Sequence, residues 1–272
     1  MTSGFVIVSE PEKLKYPYIE SLKSFLPICD ELIAVCNSIE KFQDGSVEKI
    51  KREVPEIKIV GGLFDYPKMG WMSQGVMRTN GYYASTGDIV LMFDADDILH
   101  ENMIDILRDK INKFSESGEY YAFWRRYKFR QREHWTLQCK YPGIFNKKIM
   151  GNNFNFYGAY LAEGNWSMIP EKHRRGIDLD FYLYGYERLW EDKKTLEYNL
   201  LNSKLVNFPE GAVNKDLTDK EYIENWVNGT RMKIGNEGQY MSINEQPKII
   251  QEKLKSITKE QFGFDNFKGV EL

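Results

Sequence analysis

Five apolar residues, Ile89-Val-Leu-Met-Phe93, run straight into Asp94, Ala95, Asp96 and Asp97. Such a run reads as a buried strand. In extended backbone, residues two apart point to the same side, so the Asp94 and Asp96 carboxylates converge on one ligand. Neighbouring carboxylates repel unless a cation or a hydrogen-bond network comes between them. Mg²⁺ or Mn²⁺ answers that need, because each takes oxygen ligands and bridges to phosphate oxygens. The implied chemistry is stabilisation of the negative charge that builds on a departing nucleoside diphosphate. The competing explanation is a turn that caps the next helix, a routine use of Asp.

The preceding residues alternate between two periods. Phe5–Val8, Leu32–Cys36 and Ile57–Val60 are apolar runs of strand length. After Pro11, Leu14, Tyr18, Ile19, Leu22 and Leu26 recur at helical spacing. A turn and cap signal at Asp44-Gly-Ser leads into a short helix carrying Val47 and Ile50. Met72, Val76 and Met77 share the face of a helix reaching about Ser85 and stopped by Gly87. After His100, another helix carries Met103, Ile104, Leu107, Ile111 and Phe114. The alternation predicts βαβ units with right-handed crossovers: an α/β fold, Rossmann-like, with a mostly parallel sheet flanked by helices. Ligands bind beyond the carboxyl ends of such strands, where the aspartates lie.

Beyond Gly118 the rhythm changes. Tyr121–Trp124 begins a longer strand whose basic continuation, Arg125 to Arg132, is interleaved with Tyr127 and Phe129. A solvated strand face and a polyanion contact explain that stretch equally well. Gly, Asn and aromatics dominate residues 141–160, residues 186–201 read as a charged helix, and another helix is predicted around 249–257. The chain divides into 1–118, an irregular second half of the same domain at 119–205, and a C-terminal helical appendage at 206–272.

Composition narrows the function classes. With 42% hydrophobic and 28% charged residues, the 272-residue chain can bury a core and stay soluble. Aromatics reach 14%, which suits sugar stacking but is first explained by a large core. A net charge of −3 recruits no nucleic acid by bulk electrostatics. Three cysteines (Cys29, Cys36, Cys139) without a CxxC spacing, and three histidines, make neither a zinc framework nor a disulfide scaffold. No signal peptide and no transmembrane run is visible, so a cytoplasmic location is expected and the sequons at Asn165 and Asn228 are read as accidental.

Just upstream of the aspartates lie Arg78, Asn80, Gly81, Ala84, Gly87 and Asp88. Together with Asp94, Ala95, Asp96 and Asp97, they resemble the glycosyltransferase family 2 pattern, an "ARNxG…A.G" helix followed by "D-h-h-h-h-h-D-A-D-D". The likeness extends more loosely from Phe5 to about Phe114. It implies a GT-A fold, a nucleoside-diphosphate-sugar donor, a divalent metal and an acceptor hydroxyl on a glycan or another molecule. Residues 1–118 would be the donor half and 119–205 the acceptor half. Asp94 and Asp96 would hold the metal, with Asp94 also on the donor diphosphate. Arg78 would contact the donor and Asp65 the nucleoside. Asn37 stands where the family usually has an aspartate, and would bind base or ribose or merely hold a turn.

Family 2 enzymes invert the anomeric centre with a carboxylate base. The segment Tyr141 to Glu163 is similar to a subset with "P-R-h-F" and "G-x-h-H-E" elements, which makes Glu163 the favoured base. Asp178, Asp180, Glu187, Glu191 and Asp192 are the other candidates. Tyr184-Gly-Tyr-Glu-Arg188 resembles that subset's "H-Y-G-Y-x-R", with Leu183 in place of a histidine that can bind metal. His173 reads as a solvated loop residue. The stretch Gly143 to Gly158 is rich enough in Gly and Asn to close over a donor. Two other readings compete: a non-catalytic sugar-nucleotide or glycan binder of this fold, and a haloacid dehalogenase-like phosphohydrolase with Asp94 as nucleophile.

Overall fold

The computed structural model describes residues 1–70, 72–152, 155–157, 160–161, 176–207 and 217–268. The first half is β1 (Thr2–Val8), α1 (Tyr18–Phe25), β2 (Glu31–Asn37), α2 (Ser46–Glu53), β3 (Lys58–Gly62), α3 (Tyr66–Met69), α4 (Met72–Ala84) and β4 (Ile89–Phe93). Its strands lie in the order β3-β2-β1-β4, all parallel. That is one half of the Rossmann order, and it leaves β1 and β4 side by side in the middle of the sheet.

Alternation along each strand decides which layer it contacts. Val6 and Val8 of β1, with Leu91 and Phe93 of β4, face α1. Phe5, Val90 and Met92 face the opposite way, toward Met77 and Tyr82 of α4. The Phe25 and Phe93 rings stack with centroids 3.7 Å apart, which fixes α1 over the end of β4. The described residues thus form an α/β fold with helices on both faces of the sheet, as predicted.

Gly81 explains why α4 sits where it does. A Cβ built there would lie 2.4 Å from the Phe5 ring. Only glycine lets the helix approach β1 this closely, and the approach sets the height at which Arg78 emerges one turn earlier. Gly81→Ala is expected to cost about 1–3 kcal/mol by overpacking, even after the roughly 1 kcal/mol helix-propensity gain. Urea unfolding would show it as a lower midpoint at unchanged slope.

The remaining elements are β5 (Asp97–Ile98), α5 (Ile104–Glu116), β6 (Tyr121–Gln131), β7 (His134–Asn146), α6 (Lys147–Met150), β8 (Phe156–Tyr157), β9 (Tyr160–Leu161) and β10 (Ile177–Gly185). They are followed by α7 (Lys193–Asn207), α8 (Asp219–Glu237), β11 (Gln239–Tyr240), α9 (Lys248–Lys255) and α10 (Phe262–Asp265). The central sheet has nine strands, and its path continues from β4 through β7, β6, β10 and β5. β7 runs antiparallel to both β4 and β6, while β10 returns parallel to β6.

Several boundaries differ from the sequence-based expectation. The first helix starts at Tyr18 and not near Pro11, because Pro17 biases the residue before it away from helical backbone. The predicted helix over 186–201 begins only at Lys193, where the Asp192 side chain accepts from the Thr195 N–H at 2.8 Å. The second half is less irregular than expected, since β6, β7 and β10 are 11, 13 and 9 residues long. Within the predicted appendage, the described residues 217–268 pack on the sheet. β11 pairs with β7, and Ile250 and Leu254 of α9 pack with Phe129 and Tyr186. No described helix is long and apolar enough to cross a membrane.

Candidate active site

A cavity of about 440 Å³ opens at the carboxyl end of the parallel strands. Ile7 and Ser9 enter it from the end of β1, Asp94 and Asp96 from the end of β4, and Gln74 and Arg78 from α4. Asn199, Asn202 and Ser203 of α7 with Tyr222 and Trp226 of α8 form another wall. β6 contributes Arg126, Lys128 and Arg130, three residues at a spacing of two that share one strand face. On the other face, Arg125 pairs with Asp178 at 2.5 Å and Phe129 enters a hydrophobic cluster. The basic stretch is therefore divided between cavity and exterior by strand alternation.

Asp94, Asp96 and Asp97 have three different environments. Arg78 donates to one oxygen of Asp94 at 2.9 Å and Arg126 to the other at 2.7 Å. Burial raises the Asp94 pKa, but the two guanidiniums outweigh it and hold the carboxyl well below the usual range. Asp97 is fully buried, and its Oδ2 accepts from Arg126 at 2.6 Å, the Asp94 N–H at 2.9 Å and the Tyr141 hydroxyl at 3.1 Å. Its Oδ1 has no partner, and burial pushes its pKa up to about 6 despite Arg126. The Asp96 side chain lines the cavity with no hydrogen-bond or ion-pair partner among the described residues. Burial, followed by repulsion from Asp97, raises it to about 7.

Further along β6 the balance of charge reverses. Glu187 pairs with Lys128 and, at 3.2 Å, with Arg188. Burial opposes its ionisation, but these cations hold it well below the usual carboxylate range. Among the described residues Arg130 has no ion-pair partner, and its Nε is buried without a hydrogen bond. Arg188 is 6% exposed, lies 5.0 Å from the Trp226 ring centroid and leaves Nη1 without a hydrogen bond. Its backbone is left-handed at φ 66°, a conformation costing on the order of 1–3 kcal/mol for a non-glycine residue. Glu10, also on the cavity wall, has φ 50°. Behind the wall, fully buried Glu191 accepts from Asn199 at 2.6 Å, and burial raises it to about 8.

The other sequence-derived residues divide clearly. Asn37 is buried, and its amide is used up internally. It donates to Ser9 and to the Phe64 carbonyl, and accepts from the Ile39 and Phe64 N–H groups. It holds the turn beyond β2 and has no polar group to spare for a base or ribose. Asp65 caps α3, with Lys41 at 3.5 Å and Lys68 at 3.9 Å as loose partners. Its neighbour Phe64 lines the cavity, but Asp65 does not. Leu183 is fully buried in the core among residues facing α1 and α5, and is no part of the cavity wall. Asp178, Asp180 and Asp192 also lie off the cavity wall. Glu163 and His173 lie outside the described residues. Lys128, Arg130, Glu187 and Arg188 meet on the cavity wall, a grouping the sequence had not revealed. The alternation of basic residues in β6 was the available signal, whereas only the tertiary fold brings Arg188 beside them.

A metal held by protein side chains alone is not provided for: among the described residues no three His, Cys, Asp or Glu side chains converge. The free carboxylate of Asp96 does suit a hard cation that takes its other ligands from phosphate oxygens and water.

No family model matches the chain, and neither does any curated protein. Among solved structures it is similar to residues 1–349 of S. aureus TarS in complex with UDP, at 15% identity and a TM-score of 0.43 over 86% of this chain and 72% of that one. A second is glucosyl-3-phosphoglycerate synthase from Mycobacterium tuberculosis, in complex with Mn²⁺, UDP and glucosyl-3-phosphoglycerate. There the identity is 12% and the TM-score 0.45 over 78% and 81% of the two chains. A third is 4-diphosphocytidyl-2C-methyl-D-erythritol synthase, at 12% identity and a TM-score of 0.40 over 66% and 88%. All three TM-scores lie under 0.5, so no property of these proteins is carried into the site.

Proposed function

We propose that this chain is a glycosyltransferase that moves a sugar, with inversion, from a nucleoside-diphosphate sugar to an acceptor hydroxyl. The observation that carries the proposal is the division of labour at the end of β4. Asp94 is locked between two guanidiniums, while Asp96 offers the cavity a carboxylate with no partner of its own. Asp96 would hold Mg²⁺ or Mn²⁺, with Asp94 positioning Arg78 and Arg126 in place of a second direct ligand. When bound with the donor, the metal would stabilise the charge of the leaving diphosphate. The five donors of the Arg78 guanidinium leave N–H groups for donor oxygens after Asp94 and Gln74 are satisfied. Asp65, which caps α3 just outside the cavity wall, is the proposed nucleoside contact, and Glu163 the proposed base by its resemblance to the family's acid.

A phosphohydrolase using Asp94 as nucleophile is disfavoured, because both of its oxygens are ion-paired. The non-catalytic binder draws support from Leu183, which cannot coordinate and packs in the core. Turnover separates the two. Purified protein is to be screened against UDP-, GDP- and dTDP-sugars with and without Mn²⁺, reading thermal stabilisation and nucleotide release. The proposal expects metal-dependent stabilisation by one nucleotide class and slow release from its sugar. Stabilisation without release, acceptors included, would leave a binder, and no response to any donor would remove the proposal.

A further inference from the structure

Lys128 and Arg188 share one carboxylate, Glu187, on the cavity wall, and Arg130 stands there without an ion pair among the described residues. Three cations against Glu187 and, at most, Glu191 leave at least one positive charge unmatched. Glu191 is fully buried behind the wall, and its oxygen is 3.9 Å from Arg188 Nη1. Two of the cations have polar atoms that are buried and lack hydrogen bonds, Nε of Arg130 and Nη1 of Arg188. The second belongs to a side chain more than nine-tenths buried. Buried guanidinium groups without acceptors are costly, and proteins satisfy them with a ligand or water. Burial first, and then a neighbouring guanidinium, also lowers the pKa of Lys128 and of Arg130 against the pull of Glu187.

Lys128 and Glu187 still feel the charge of Asp96, whereas Arg130 feels only Glu187 and Arg188, so Arg130 marks the part of the cluster apart from the aspartates. Arg126 belongs to Asp94 and Asp97. At about 3.4 Å of rise per residue, Arg130 lies roughly 13 Å further along the same strand face. A diphosphate at Arg78, which shares Asp94 with Arg126, would leave Arg130 to a second anion.

We propose that the far end of the cavity binds a phosphate group carried by the acceptor, which would make the acceptor a phosphorylated hydroxyl compound. A phosphate monoester carries close to two negative charges at neutral pH and accepts several charge-assisted hydrogen bonds. It matches the surplus positive charge. The anion site stands on these residues alone, whereas its assignment to an acceptor rests on the transferase proposal.

Calorimetric titration of inorganic phosphate tests both parts. It is run on the free protein and on protein saturated with Mn²⁺ and the nucleoside diphosphate selected by the donor screen. Arg130→Gln removes a charge that pairs with no carboxylate, so its melting temperature should stay close to that of the unaltered protein. Phosphate is expected to bind in both states. Arg130→Gln should weaken phosphate binding at least tenfold while shifting nucleotide affinity by less than twofold. If phosphate and nucleotide exclude each other, and Arg130→Gln weakens both alike, the cations hold the donor diphosphate and the acceptor assignment falls. Unchanged phosphate affinity in Arg130→Gln, or no phosphate binding, would overturn the anion site. If no nucleotide binds but the Arg130 effect on phosphate persists, the anion site is retained, and the transferase proposal and the acceptor assignment fall together.

Discussion

Asp96→Asn is expected to slow metal-dependent nucleotide release by at least ~100-fold while raising the melting temperature of the metal-free protein by about 2–4 °C. Both effects have the same origin. The Asp96 carboxylate is largely withdrawn from water, repelled by Asp97 and Asp94, and given no partner by the described residues. Such a group weakens the folded state. Asparagine keeps the shape and removes the charge, so the fold relaxes as the proposed cation loses its anionic ligand. A loss of stability together with activity would mean that Asp96 is a structural cap. Full activity in the variant would remove the metal assignment.

Arg126→Leu is expected to cost about 3–5 kcal/mol of unfolding free energy, the usual effect of stripping a buried carboxylate of its counter-charge. Arg126 joins Asp94 to Asp97 and lies over the Tyr141 ring, with its guanidinium carbon 4.0 Å from the centroid. Without it, the fully buried Asp97 keeps only the hydroxyl of Tyr141 and the Asp94 N–H. The sign of the pH dependence follows from Asp97, whose folded pKa is raised to about 6 even with Arg126 present. A raised carboxyl favours folding while protonated and loses that contribution as pH climbs through its folded value. The gap between variant and parent should therefore be widest above pH 7 and narrow toward pH 5. Urea unfolding at several pH values measures it, and adding Asp97→Asn should recover most of the loss at neutral pH. A cost under 1 kcal/mol at every pH would show that Arg126 is an ordinary exposed cation.

The first half was legible because each strand is continuous apolar sequence and each helix has one apolar face. Phe5–Val8 and Ile89–Phe93 needed no tertiary information, and the aspartates at the end of the latter point to the cavity by topology alone. The motif residues Gly81 and Gly87 were visible, but the crowding that demands them came only with Phe5 and Ser3 placed beside them. The nineteen-residue α8 was missed although its signal was present: Thr218 and Glu221 form a capping box. Only four of its residues are buried, one of them Thr230, so its apolar stripe is too sparse to read as a face. Asn37 shows the opposite difficulty. Its type and place after β2 suit a ligand contact, and only the neighbouring Ser9 and Phe64 reveal that its amide is already spent.

The acidic loop is itself a piece of sheet. Asp97 and Ile98 pair with Gly185 and Tyr184 of β10, and the Asp96 carbonyl accepts from the Tyr186 N–H at 2.9 Å. Two residues beyond Tyr186 stands Arg188, held in left-handed backbone. The proposed metal ligand and a cation of the proposed phosphate site are therefore joined through one peptide hydrogen bond. If filling one subsite shifts that bond, it changes affinity at the other, and thermodynamic reciprocity requires both ligands to feel the same factor. Such linkage would appear as an order of addition, with the first substrate preparing the place of the second.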